Sequence, residues 1–103
     1  MSDSNMSEAA QAHALFSTFV MGLASATLVE LGKLPDPSSQ SKRVQIASAR
    51  QHLELLAMLE QKTRGNLTPE ERDLLQRVLT DLRFQFAKVQ QDLSEKSKSG
   101  GGV

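Results

Sequence analysis

Twenty-one consecutive residues, Ala9 to Val29, carry no formal charge, and no other feature of the chain constrains its fold as tightly. The stretch reads AAQAHALFSTFVMGLASATLV and predicts one helix from about Glu8 to Leu31. Asn5, three places before Glu8, suits a capping box at its start, and Gly32 with Pro35-Asp36-Pro37 stops it. Its apolar residues do not gather on one side. One stripe is Leu15, Phe19, Gly22, Ala26 and Val29; another is Phe16, Val20, Leu23, Thr27 and Leu31. A helix that is apolar on most sides needs cover on most sides.

Three covers are open. Lipid is one, because the length matches the roughly 20 residues that cross a bilayer core. Gln11, His13, Ser17, Thr18, Ser25 and Thr27 dilute the stretch, however, and no basic cluster marks a cytoplasmic flank, so membrane association is not favoured. The rest of the chain is a second cover, sufficient for one stripe. Self-association or a protein partner is the third, on the Leu15, Phe19, Gly22, Ala26, Val29 face, where Gly22 and Ala26 form a small-xxx-small pair beside Ser25 that lets another helix approach. Alternatively, these small residues only make room for the protein's own Leu and Phe side chains.

The remaining chain supplies two more helices. One is expected from about Val44 to Thr63, with Ile46, Ala49, Leu53 and Leu56 on its inner side and Leu55, Met58 and Leu59 widening the stripe, as in a deeply packed helix. The next boundary is strongly marked. In Gly65-Asn66-Leu67-Thr68-Pro69-Glu70-Glu71, Gly65 suits a left-handed conformation, Thr68 an N-cap, Pro69 a first helical turn and Glu71 the closing member of a capping box. From there Leu75, Leu79, Leu82, Phe86, Val89 and Leu93 recur at alternating spacings of 4 and 3, an apolar seam. So short a link forces helices two and three into an antiparallel αα-hairpin.

The fold class is therefore all-α: a three-helix bundle built from that hairpin and the apolar first helix, with disordered termini. Residues 1–12 are expected as a flexible N-terminus, 13–93 as the helical domain, and 94–103, SEKSKSGGGV, as a disordered Gly/Ser/Lys tail. At 103 residues there is room for one core, and a domain this small gains from association. No basic n-region opens the chain, which disfavours a cleaved export signal. With no cysteine, a reducing cytosol is permitted, and a cytoplasmic location is expected.

Chemistry has little to work with. The absence of Cys removes thiolate nucleophiles and Cys-based metal sites, and His13 and His52 stand in no two-His metal spacing. His52 and Glu54, two apart on a helix, point to different sides. His13 is expected to face solvent or a partner. Ser38, Ser39 and Ser41 have no base nearby, and the glycines make no phosphate-cradling loop. No catalytic residue, cofactor or metal is expected, and the chain is not expected to be an enzyme. Twelve basic and twelve acidic residues balance, and neither Trp nor Tyr is present, so nucleic-acid binding is not expected either. By segment, residues 1–40 are net acidic and residues 41–66 net basic, with Lys42, Arg43, Lys62 and Arg64 at the ends of the second helix. Ordinary solvation accounts for these charges, with Lys62 and Arg64 also complementing a helix C-terminus.

Leu15-Phe16 opening an apolar helix, Gly32-Lys33-Leu34-Pro35-Asp36-Pro37, Ala49-Arg50 ahead of Leu53-Glu54-Leu55-Leu56, and above all Lys62-Thr63-Arg64-Gly65-Asn66-Leu67-Thr68 together resemble the small bacterial family catalogued as domain of unknown function 1844. The resemblance covers roughly Leu15 to Val89. It implies a bacterial, cytoplasmic, small helical protein and brings no activity or cofactor. It also marks Lys62, Thr63 and Asn66 as a polar corner, either closing the helix ends or binding a small ligand. Together these features point to a non-enzymatic interaction or oligomerisation module, with a homodimer through helix one as its simplest form.

Overall fold

A computed structural model describes residues 7–38 and 43–101, which form three helices: α1 (Glu8–Glu30), α2 (Ile46–Thr63) and α3 (Pro69–Gly101). The Ser7 side chain, not Asn5, caps α1: its hydroxyl accepts the Ala10 N–H at 3.1 Å. Asn5 lies outside the described residues. With Ser7 as cap, the third helical position is Ala10, so no capping box forms, and the helix takes up residues 8 to 12 of the segment expected to be flexible.

The end of α1 follows from Gly32, which holds φ +75°. The Lys33 N–H reaches the Leu28 carbonyl at 2.8 Å and the Gly32 N–H that of Val29 at 3.0 Å, a Schellman motif that satisfies carbonyls the helix leaves open. The α2–α3 link closes differently. Arg64 is extended (φ −58°, ψ 129°), Gly65 has φ +85°, and the Asn66 N–H donates to the Thr63 carbonyl at 2.9 Å, which together make a type II turn with glycine where φ must be positive. Four residues on, the capping box is reciprocal. The Thr68 N–H donates to Glu71 Oε1 at 2.9 Å, and the Glu71 N–H donates to Thr68 Oγ1 at 3.1 Å.

Each pair of helices is in contact, as a bundle requires. His13 near the start of α1 meets Glu71 near the start of α3, and Leu31 packs with Val89 at the far end, so α1 and α3 run parallel with α2 antiparallel to both. The main core joins Val20 and Ala24 of α1, Leu56 of α2 and Leu75, Leu79 and Leu82 of α3. A second cluster of Leu31, Ala49 and Val89 closes the other end. In the α3 seam Leu75, Leu79, Leu82 and Val89 are buried, Phe86 is partly buried, and Leu93, its last member, is exposed. Helical backbone continues past Leu93 to Gly101; Glu and Lys favour helix, but residues 94–96 are exposed and add nothing to the core.

Helix α2 departs from expectation. It begins at Ile46 without a side-chain cap, two residues after Val44, and only Ala49 and Leu56 are buried. Leu55 and Met58 are exposed, so the widened stripe is not a sign of deep packing. Two neighbours supply only one inner side for α2, and three helices are too few to enclose any one of them.

Candidate functional site

The same shortage acts on α1. Its Phe16, Val20, Leu23, Thr27, Leu31 stripe turns inward: Val20 and Thr27 are fully buried, Leu31 nearly so, and Ala24 joins them. Thr27 is tolerated there because its hydroxyl donates to the Leu23 carbonyl at 2.7 Å. The other stripe turns outward. Leu15 is 73% exposed and Phe19 56%, Ala26 and Val29 are half-buried, and Gly22 is open, with no atom within 4 Å of where a Cβ would sit. Gly22 therefore makes no room for any side chain of its own chain. Apart from its terminal residues, α1 presents this face without a charge.

Apolar surface continues onto α2. His52 and Glu30 are hydrogen-bonded at 2.7 Å, Nδ1 to Oε1, and fix the side on which the two helices meet. Ala26, Leu23 and Phe19 lie in line with Glu30 at whole-turn spacings, and Leu55 and Leu59 lie in line with His52, so these residues border one seam. Leu55 is 42% exposed and Met58 44%.

Both histidines thus tie α1 to its neighbours. His13, expected to face solvent or a partner, instead meets Glu71 of α3, Nδ1 to Oε2 at 3.1 Å, with nearly half its side chain still exposed. Glu71 is buried, and its carboxyl is held below the ordinary range, first by the Thr68 N–H and then, against the cost of burial, by His13. Sequence reasoning missed both pairs, whose partners lie 58 and 22 residues apart.

The polar corner separates into single roles. Thr63 Oγ1 donates to the Leu59 carbonyl at 2.7 Å, the Asn66 N–H closes the type II turn, and Lys62 is exposed. A cleft of about 200 Å³ does open at this turn, but its walls are Glu60, Arg64, Gly65, Leu67, Arg72 and Leu75. Glu60 accepts from Arg64 at 2.7 and 3.1 Å, and the pair lowers the carboxyl and raises the guanidinium. A larger hollow, about 830 Å³, runs along α3 from Asp73 to Phe84 and is walled by that helix alone. In the loop after α1, Ser38 donates both its N–H and its hydroxyl to Asp36, while Ser39, Ser41 and Lys42 lie outside the described residues. No group of three or more metal-ligating side chains occurs among the described residues.

These features define a small all-α protein of three helices whose most prominent surface is apolar and whose polar groups serve helix ends and interhelical ties. The family described as Domain of unknown function (DUF1844) matches residues 13–88, which take in parts of all three helices, and the chain belongs to it. No curated protein and no solved structure matches the chain.

Proposed function

We propose that this chain is a non-enzymatic interaction module that pairs with a second copy of itself through the outer face of α1. The exposure of Leu15 and Phe19 on a face free of charge is the observation that carries this reading. Large exposed apolar areas rimmed by polar residues mark interaction sites, and burying a Leu or Phe side chain contributes about 1.5–3 kcal/mol. Gly22 and Ala26 would set the closest approach of two α1 helices, with Leu55 and Met58 widening the contact. A two-fold dimer is the simplest closed arrangement. Helix α1 spans about 34 Å at 1.5 Å per residue, which offers a second helix a long line of contact.

Light scattering on the parent, Gly22→Leu and Phe19→Ser tests this. The parent should report a dimer at high micromolar concentration, and both variants should report a monomer while keeping their helix content. A parent that scatters as an 11.3 kDa monomer refutes the proposal.

One observation favours a second reading, an accessory protein held at a membrane by α1: the helix is long and apolar enough to cross a bilayer. Spanning would pull Val20, Ala24 and Leu31 out of the cores they share with α2 and α3. Expressed protein that fractionates as soluble without detergent would remove this alternative.

A further inference from the structure

The chain's zero net charge conceals a segregation. Of its six arginines, Arg50, Arg64, Arg72 and Arg83 border the groove between α2 and α3, on the side away from the exposed face of α1. Arg50 lies over the Phe86 ring, 5.5 Å from its centroid. Arg64 and Arg72 share the 200 Å³ cleft at the turn, and Arg64 and Arg83 share an adjoining one of about 450 Å³ with Gln76 and Thr80. Glu60 is the one carboxylate lining both clefts, and Arg64 engages it. Arg83 is near enough to help hold the Glu60 carboxyl low, yet among the described residues neither Arg72 nor Arg83 makes a salt bridge. Two exposed guanidinium groups therefore stand without a salt-bridge partner among the described residues, 11 residues or about 16 Å apart along α3.

We propose that this groove docks an acidic segment of a partner protein, with carboxylates of the segment engaging Arg72 and Arg83. The basic groups are all arginine, whose planar fork matches a carboxylate two bonds at a time. Leu75 and Leu79 beneath them are already covered, so recognition falls to the charged rim and should be salt-sensitive. Nucleic acid fits less well: Glu60, which lines both clefts, puts a carboxylate between the arginines where a phosphate backbone would run, and Phe86 is covered by Arg50. This surface is distinct from the α1 face and stands or falls independently of it.

The probe is fluorescein-labelled dodecaglutamate, followed by anisotropy with the full chain at about 50 mM salt, where surface charges are weakly screened. Binding is expected, weakening steeply on raising the salt. R72E/R83E and the milder R72Q/R83Q should each lose about tenfold or more in affinity. R77E/K88E, with the same charge change on the outer side of α3, should lose far less. Circular dichroism establishes that each variant is folded. No binding at low salt, equal losses in R72E/R83E and R77E/K88E, or tighter binding of a twelve-residue oligothymidylate would overturn the proposal.

Discussion

Helices α1 and α3 lie parallel in one small bundle and divide their labour in opposite ways. In α3 most apolar residues follow one seam, in which Leu75, Leu79, Leu82 and Val89 are buried, while its outer face carries Asp73, Arg77 and Asp81 with Phe84 as a single exposed ring. In α1 the apolar residues surround the axis; one stripe is buried and the other, led by Leu15 and Phe19, meets solvent. A seam matched to the neighbours it has completes a fold. A helix with more apolar surface than two neighbours can cover retains a face for something else.

The sharpest way to test that contrast is to truncate the two kinds of leucine. Leu75→Ala or Leu82→Ala should cost about 2–5 kcal/mol in denaturant unfolding, because each removes a buried side chain and leaves a cavity. Leu15→Ala, at low micromolar protein where pairs dissociate, should shift stability by no more than about 0.5 kcal/mol. A comparable loss at Leu15 would show that the outer stripe supports the monomer. Next in size is Gly65→Val, expected to cost about 1–3 kcal/mol from backbone strain alone, since φ is +85° and nothing lies within 4 Å of the added Cβ. Thr68→Ala should cost about 0.5–2 kcal/mol by leaving the Glu71 N–H without its cap.

Smallest is a pH effect on the contact between the starts of α1 and α3. The Glu71 carboxyl titrates lower in the folded chain than in the unfolded one, so its stabilisation is complete above the ordinary value of about 4.5 and is lost as pH falls through the lower folded value. Glu71→Gln should flatten that acid limb of the unfolding curve. An unchanged limb would place the acid sensitivity elsewhere.

Much of the hairpin was legible in sequence, because its signals are local. Gly65, Thr68 and Glu71 act within seven residues, and the α3 seam repeats every turn. The start of α1 was harder: Asn5 and Ser7 are both good caps, and only the backbone decides between them. The outward stripe was legible too: the Gly22 and Ala26 pair singled out the Leu15, Phe19, Gly22, Ala26, Val29 face as the one open to another helix, and Leu15 and Phe19 on it are exposed. The His–Glu ties and the arginine groove were invisible because their members come from different helices. Arg64 and Arg72 face one cleft only after the Gly65 turn has folded back.

The central claim is that α1 keeps an apolar face for a second copy of the chain, and the melting temperature as a function of protein concentration tests it most directly. Association stabilises only the folded form, so melting should rise by several degrees from low to high micromolar protein in the parent. Gly22→Leu should show no such rise yet melt at least as high as the parent when dilute, because leucine is the better helix former and nothing within the chain crowds the site. A parent whose melting temperature does not depend on dilution would contradict the claim.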